Sequence, residues 1–284
     1  MTVLVTGGAG FVAAHLAVEL KRSRWNVVLT DAINRYDPDI RIADLANASA
    51  IRSLIAEVKP DAVVHLGAIS FVPDAATDVE TLELVNVGGT RNVLEAVRNE
   101  VPNARFLFVS TAHVLNYPLS DYAKSKIAAE KVVAQYAKYG LNTVIARPAN
   151  HTGPGQSRKF VVPSFVGQAR DIKLGIRKKF RVGNLESVRD FTDVRDVVRA
   201  YRMLLEIDDV SGVYNICSDC RMSIRQLLEK IASIIGVDSC CEVDQNIWRP
   251  GDMSTVVNTE RIKVLGWKPE IAIEQTIYDI DRSL

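Results

Sequence analysis

The chain of 284 residues is 48% hydrophobic and 24% charged, a composition typical of globular proteins that excludes a disordered chain or a disulfide-built miniprotein. Its 35 Lys and Arg residues nearly balance 34 Asp and Glu residues, so the net charge of +1 predicts no binding to nucleic acid or to an anionic membrane. No apolar run reaches the roughly 18 residues that a bilayer span needs, and the first predicted strand leaves no room for a signal peptide, so we expect a cytoplasmic protein.

Short apolar segments alternate with helical patterns along the first half of the chain. The segments are rich in β-branched and aromatic residues and are apolar on both faces, which is typical of parallel strands covered by helices. The predicted strands are 3–6, 26–30, 61–66, 106–110 and 143–146, and the predicted helices are 11–22, 49–58, 81–100 and 120–139. This order predicts an α/β fold with a doubly wound parallel (Rossmann) sheet that binds ligands at the carboxyl ends of its strands.

The rhythm changes after Pro148. Two more helical patterns, 194–207 and 224–235, flank a strand-like segment at 213–217, and a basic run at 177–181 is interpreted as a solvated face. We therefore expect a second, smaller α/β lobe. Four cysteines, at positions 217, 220, 240 and 241, have the wrong spacing for a zinc ribbon and no histidine nearby, so we predict ordinary thiols and no metal.

A glycine-rich turn joins the first predicted strand to the first helix. Gly7, Gly10 and Ala13 follow a Gly-x-x-Gly-x-x-Ala spacing, which lets backbone amides approach a pyrophosphate at the positive end of the helix. A glycine pattern alone would also fit a plain tight turn. Here Asp31 ends the second strand, where a carboxylate accepts hydrogen bonds from an adenosine ribose and repels a 2′-phosphate. The pattern favours NAD(H), although Arg35 leaves NADP(H) possible.

Tyr122 and Lys126 lie four residues apart on one face of a predicted helix. Two exposed helix residues would show the same spacing by chance. However, Ser110 and Thr111 end a buried-type strand shortly before, where a hydroxyl can hold a substrate oxygen against Tyr122. A nearby cation is expected to lower the pKa of the phenol and make Tyr122 an acid/base group.

Together these motifs resemble the extended short-chain dehydrogenases/reductases of the NAD-dependent epimerase/dehydratase family, over nearly the whole chain. Further matching motifs are Asp44-Leu45, His65-Leu-Gly-Ala68, Asn86-Val-Gly-Gly-Thr90, Arg147-Pro148 and RDFTDV at 189–194. The resemblance implies Thr111, Tyr122 and Lys126 as the catalytic residues. It also implies a cofactor site formed by Gly7, Gly10, Phe11, Val12, Asp31, Asp44, Leu45, Leu66, Gly67, Ala68, Asn86, Tyr122, Lys126 and Pro148.

Within the family, segments 147–156, 160–165, 183–197 and 249–252 are most similar to GDP-4-keto-6-deoxymannose reductases and GDP-mannose 4,6-dehydratases. That likeness implies a nucleotide-diphosphate sugar as the substrate. The implied substrate contacts are Thr111, His113, Asn150, Arg189 and Arg249. Guanidinium groups suit a diphosphate, but neighbouring carboxylates leave a plain surface ion pair open for both arginines.

Two departures from the family pattern bear on the reaction. The segment between Thr111 and Tyr122 is shorter than in typical members, and His113 stands where dehydratases have the glutamate that abstracts a proton from the sugar. His113 either lines the pocket or acts as a base. The expected activity is therefore reduction of the C4 ketone of a nucleotide-linked 4-keto-6-deoxy sugar, with a 4-epimerase holding NAD tightly, or a catalytically silent relative, as alternatives.

The resemblance also bears on domains and assembly. It implies a dinucleotide-binding domain of residues 1–150 and about 183–212, and a substrate-binding lobe of about 151–182 and 213–284. Helices 81–100 and 120–139 are similar to those that pair in a four-helix dimer interface, which implies a homodimer, although periodicity alone also allows them to face the sheet.

Overall fold

A computed structural model describes residues 1–33, 37–70, 78–115, 120–248 and 257–284. The chain forms two compact units. The first contains Met1–Pro148, Val198–Ile216 and Thr259–Trp267, and the second contains Ala149–Val197, Cys217–Asn258 and Lys268–Leu284. These bounds differ from the predicted division at 149–150, 183–197, 213–216 and 259–267. Residues 213–216 belong to the first unit because they pair with the strand that ends at Pro148.

The first unit is built on a seven-stranded parallel sheet, which confirms the predicted fold class. The strands are β1 (Thr2–Thr6), β2 (Asn26–Asp31), β3 (Ile40–Ile42), β4 (Ala62–His65), β5 (Arg105–Val109), β6 (Thr143–Pro148) and β11 (Gly212–Ile216). Their order in the sheet is β11-β6-β5-β4-β1-β2-β3. The central strands are buried along almost their whole length, as their apolar sequences require.

Helices follow the strands of this sheet. They are α1 (Phe11–Arg22), α2 (Ala48–Val58), α3 (Val79–Leu82), α4 (Gly89–Glu100), α5 (Asp121–Lys138) and α9 (Glu260–Val264), while α7 (Val194–Glu206) contributes residues to both units. The prediction of one regular helix over 81–100 was wrong, because a π-helical segment, Glu83–Gly88, separates α3 from α4. Strand β3 was not predicted, since three residues are too few for a periodic pattern.

Short strands and helices form the described part of the second unit. The strands pair two by two, β7 (His151–Thr152) with β10 (Thr192–Asp193), β9 (Val188–Asp190) with β12 (Arg221–Ser223), and β8 (Phe180–Val182) with β13 (Cys241–Val243). Helices α6 (Val161–Lys173), α8 (Ile224–Ile235) and α10 (Ile273–Ser283) pack around a separate apolar core. The Ser223 side chain caps α8 together with Gln226, and Gly236 ends the helix in the left-handed conformation.

The sequence predictions also concerned the cysteines, metal binding and membrane spans. The four cysteines, all within the described residues, are free thiols. Across the described ranges, no group of His, Cys, Asp and Glu side chains is arranged to hold a metal ion. No helix in those ranges combines the length and the apolar composition needed to cross a membrane.

Candidate active site

The glycine turn after β1 is packed tightly between the ends of two neighbouring strands. Gly7 has a φ of +73°, and a Cβ added there would lie 2.8 Å from the backbone nitrogen of Gly67, which follows β4. On the other side, the Gly8 amide donates to the carbonyl of Thr30 on β2 at 2.8 Å. The turn therefore requires residues without side chains, as the spacing predicted.

Helix α1 begins at this turn with its positive end open. Gly10 is the N-cap residue and has no side chain to cap the first turn, which contains Phe11 and Val12. Asp31 at the end of β2 orients the turn, since its Oδ2 accepts a hydrogen bond from the Ala9 amide at 3.0 Å. A bare backbone cradle at a helix N-terminus beside a half-buried carboxylate fits the pyrophosphate and ribose of a dinucleotide.

A chain of buried hydrogen bonds supports the segment Leu66-Gly67-Ala68. His65 Nδ1 lies 2.7 Å from the Thr6 hydroxyl, which also accepts from the Gly67 amide at 3.1 Å, and His65 Nε2 lies 3.0 Å from the Thr90 hydroxyl. Burial first, and then the charge of Lys126, lowers the pKa of His65 to about 3. The imidazole is therefore neutral at physiological pH and acts here as a hydrogen-bonding link.

Asn86, in the π-helical segment, connects the residues that follow β4 to helix α5. Its Oδ1 accepts from the Ile69 amide at 2.8 Å, and its Nδ2 donates to the Ser125 hydroxyl at 3.0 Å. The Ser125 hydroxyl in turn donates to the Tyr122 carbonyl at 2.8 Å. Asn86 is thus a buried link between the exit of β4 and the first turn of α5.

The remaining predicted cofactor residues lie in three different settings. Asp44 is exposed, and its Oδ1 accepts from the Ala46 amide at 2.9 Å. Leu45 packs against glycines, because a Cβ added at Gly67 would lie 2.8 Å from its Cδ1. Pro148 is buried at the end of β6.

The candidate acid/base residues lie at the start of α5 and the end of β5. The Ser120 side chain caps α5 by accepting from the Ala123 amide at 3.1 Å, and Tyr122 is half-buried in the first turn. Lys126, one turn later, is only 2% exposed. Buried Thr111 follows β5, and its hydroxyl accepts from the His113 amide at 3.2 Å, within the 3-10 turn Ala112–Leu115.

Burial controls the protonation of the Tyr122 and Lys126 pair. It raises the pKa of Tyr122 to about 12, so the prediction that the cation would lower this pKa was wrong. Burial also lowers the pKa of Lys126 to about 7, so the lysine carries less charge than a solvated one. At neutral pH the phenol of Tyr122 is protonated and can donate a proton, but its raised pKa makes it a weaker acid than a solvated tyrosine.

Two of the predicted substrate residues are in the described part of the second unit. Asn150 precedes β7, and its carbonyl accepts from the Thr192 amide at 2.9 Å, while half-buried Arg189 lies on β9. The carboxylates near Arg189 make other contacts, since Asp190 accepts from Thr192 and Asp193 pairs with an arginine of α7. Arg249 lies outside the described residues, as does Arg35.

Sequence reasoning missed the supports behind α5. Buried Glu130 forms a bidentate pair with half-buried Arg147, and Ser125 bridges Asn86 to Tyr122. The available signal for Glu130 was its position four residues after Lys126, on a helix face that is otherwise apolar.

The comparisons with known proteins agree with this geometry. Residues 4–280 match the family described as GDP-mannose 4,6-dehydratase. The chain is 33% identical, over 97% of its length and 94% of the relative, to a GDP-6-deoxy-D-mannose reductase of Pseudomonas aeruginosa.

Two solved structures are similar over nearly all of both chains. RMD of Pseudomonas aeruginosa, complexed with NADPH, has a TM-score of 0.86 at 32% identity, covering 99% of this chain and 98% of that one. A UDP-glucose 4-epimerase of Thermus thermophilus, complexed with NAD, has a TM-score of 0.86 at 27% identity, covering 100% and 98%. These neighbours bind nicotinamide cofactors, as the glycine turn predicted. The chain is therefore a member of the GDP-mannose 4,6-dehydratase family, within the nicotinamide-dependent epimerases and dehydratases.

Proposed function

We propose that this enzyme reduces the C4 ketone of a nucleotide-linked 4-keto-6-deoxy sugar. The observation that carries the proposal is the placement of Tyr122 one helical turn before buried Lys126 on α5, with buried Thr111 directly after β5. Tyr122 donates its proton to the ketone oxygen, which Thr111 anchors through its hydroxyl. The resemblance to a GDP-6-deoxy-D-mannose reductase supports this substrate class.

A nicotinamide cofactor would be held by the first unit. The glycine turn and the open end of α1 would bind its pyrophosphate, Asp31 its adenosine ribose, and Lys126 its nicotinamide ribose. When bound, this cofactor supplies the hydride that reduces the ketone carbon. Residues of the second unit, Asn150 and Arg189 among them, together with Arg249, would contact the nucleotide diphosphate.

Product analysis tests the reaction. Purified enzyme incubated with GDP-4-keto-6-deoxymannose and NADH or NADPH is expected to consume the cofactor and yield the C4 alcohol, identified by mass spectrometry and NMR. With GDP-mannose alone we expect no 4-keto-6-deoxy product, because His113 replaces the carboxylate that a dehydratase uses as its base. Conversion of GDP-mannose would contradict the assignment.

A 4-epimerase is the second candidate, because the Thermus neighbour with that activity has the same fold. An epimerase returns the hydride to the sugar and keeps its cofactor, whereas a reductase must exchange it. Cofactor that copurifies with the protein and survives dialysis, combined with interconversion of two C4 alcohols without added cofactor, would favour the epimerase.

Asp31 leads us to predict a preference for NADH over NADPH. A half-buried carboxylate at the end of β2 repels a 2′-phosphate. Replacing Asp31 with asparagine should improve NADPH binding relative to NADH by roughly tenfold, the equivalent of about 1.4 kcal/mol. Fluorescence titration of both cofactors measures this, with Asp39→Asn, an exposed carboxylate outside the glycine turn, as the control. A wild-type preference for NADPH would contradict the prediction.

Arg189 is expected to bind the diphosphate of the sugar nucleotide. Arg189→Ala should weaken GDP binding by about 1.5 to 3 kcal/mol, the range for charged hydrogen bonds, and leave cofactor binding unchanged. The matched control is Arg225→Ala, which removes an exposed pair with Glu186 in the same unit. Calorimetry that finds equal GDP affinity for Arg189→Ala and wild type would show that the diphosphate site lies elsewhere.

We further propose a homodimer in the cytoplasm. Val79 on α3 and Leu84 in the π-helical segment are 55% and 59% exposed, which supports burial of this face against a second copy. Light scattering after gel filtration measures the oligomeric state, and a monomer at micromolar concentration would refute the dimer.

The proposed cytoplasmic location is supported by the four free thiols, which are typical of a reducing compartment.

A further inference from the structure

Lys126 is a cation in an apolar setting. Its side chain is almost completely buried in α5, and its Nζ lies 4.4 Å from the ring centroid of Phe108 on β5. A buried ammonium loses the hydration that favours its charged form, and a single aromatic ring replaces only part of that stabilisation. Some other group must therefore favour the charged state if the lysine is to act as a cation.

Glu130 is placed to do this. It lies one helical turn after Lys126 on the same face of α5, is only 8% exposed, and raises the pKa of Lys126 against the effect of burial. Arg147 on β6 holds its carboxylate from the side, donating from Nε to Oε1 at 2.8 Å and from Nη2 to Oε2. The bidentate geometry holds the carboxylate to Arg147 on β6, one helical turn after Lys126 in α5, and prevents it from turning to solvent.

The other titratable groups around α5 are less suited to this role. His65 is neutral at physiological pH. The phenol of Tyr122 is protonated, and Arg147 has the same charge as Lys126. The remaining groups on the described segments that pack against α5 are the half-buried His113 and Glu100 and the exposed Glu80, Glu83, Arg91, Glu95 and Arg98.

We infer that Glu130, clamped by Arg147, is a positioning residue that keeps Lys126 charged inside the active site. The inference rests on the proposed function, in which a charged Lys126 binds the cofactor ribose and assists Tyr122. The pair would then contribute more than a structural link between α5 and β6. It would set the pH above which the site loses its cation.

The sign of the expected effect follows from linkage. Activity that needs charged Lys126 is present below its pKa and is lost as the pH rises through that pKa, at about 7 in this protein. Removing the carboxylate of Glu130 lowers the pKa of Lys126. The loss of activity should therefore move to lower pH.

The direct test is an NMR titration of the Lys126 side chain, with its signal assigned by Lys126→Arg and measured without sugar or cofactor. Glu130→Gln keeps the side-chain shape and should lower the titration midpoint of Lys126 by about 1 pH unit. Arg147→Lys keeps both charges but loses the bidentate contact, so it should lower stability and leave the midpoint within about 0.3 units of wild type. A midpoint unchanged in Glu130→Gln would overturn the inference.

If Glu130→Gln does not fold because Arg147 is left unpaired, the double variant Glu130→Gln/Arg147→Met removes the charges of both residues. Its midpoint should lie below that of Arg147→Met, which removes only the arginine cation, and equal midpoints in these two variants would again overturn the inference. Because the titration uses neither substrate nor cofactor, its result is independent of the reaction. Absence of reductase activity in wild type would refute the proposed function alone.

Discussion

Tyr122→Phe is expected to lower turnover of the 4-keto sugar by roughly 10²- to 10⁴-fold, the usual loss when a positioned acid is removed. The substitution deletes only the phenolic hydroxyl, which is protonated at neutral pH. Cofactor affinity should change little, since the glycine turn, Asp31 and Lys126 remain. Steady-state kinetics and fluorescence titration of the cofactor measure the two quantities separately.

Tyr136→Phe is the matched control on the same helix. The Tyr136 hydroxyl donates to Glu95 at 2.6 Å, so its loss should lower the free energy of unfolding by about 1 kcal/mol while turnover stays close to wild type. Equal turnover in Tyr122→Phe and wild type would refute the mechanism. A similar loss in both variants would indicate damage to α5 and no specific role for the Tyr122 phenol.

Gly7→Ala is expected to abolish measurable cofactor binding and to lower the free energy of unfolding by roughly 2 to 5 kcal/mol. Two physical effects combine here: the left-handed backbone at φ +73°, and a Cβ that would lie 2.8 Å from the nitrogen of Gly67. The atoms that this Cβ would meet belong to the backbone of Leu66 and Gly67, so relief requires the turn to move away from the end of β4. Urea unfolding and cofactor titration measure the two losses.

The chain contains a control for the backbone effect alone. Gly140 has a φ of +91°, and a Cβ added there meets nothing within 4 Å. Gly140→Ala should therefore cost about 1 to 2 kcal/mol of stability and leave cofactor binding intact. If Gly7→Ala behaves like Gly140→Ala, the close packing of the turn against Gly67 does not determine cofactor binding.

Sequence patterns predicted the elements whose ends carry a local signal. Helix α8 runs over the predicted residues because Ser223 and Gly236 mark its ends, and α1 begins directly after the glycine turn. Apolar spacing could not distinguish the hydrogen-bond pattern of the π-helical segment from that of an α-helix, since both bury one face. The seven-stranded order also depended on β11, which joins the sheet from a distant part of the chain.

The sequence predicted which residue types form the candidate site, but it did not predict the pKa values of Tyr122 and Lys126. The spacing of Tyr122 and Lys126 indicates a cation near a phenol, but the pKa of each group depends on burial, which no local pattern reports. The effect of Glu130 on Lys126 depends on Arg147, which is adjacent to α5 only after β6 has joined the sheet. Such supports are set by tertiary packing, so they were visible only in the structure.

The π-helical segment Glu83–Gly88 is less stable than a regular α-helix, but it carries Asn86, which links Ile69 to Ser125. A wide turn is equivalent to an α-turn with one residue inserted, and it is less stable than the regular helix that a one-residue deletion would restore. Here the segment with the inserted residue contains Asn86, and the side-chain amide of Asn86 bonds to both Ile69 and Ser125. A shortened helix would be more regular, but it would detach the start of α5 from the edge of the sheet. This small irregularity therefore places a structural constraint on length changes in the chain, independent of the chemical identity of any catalytic side chain.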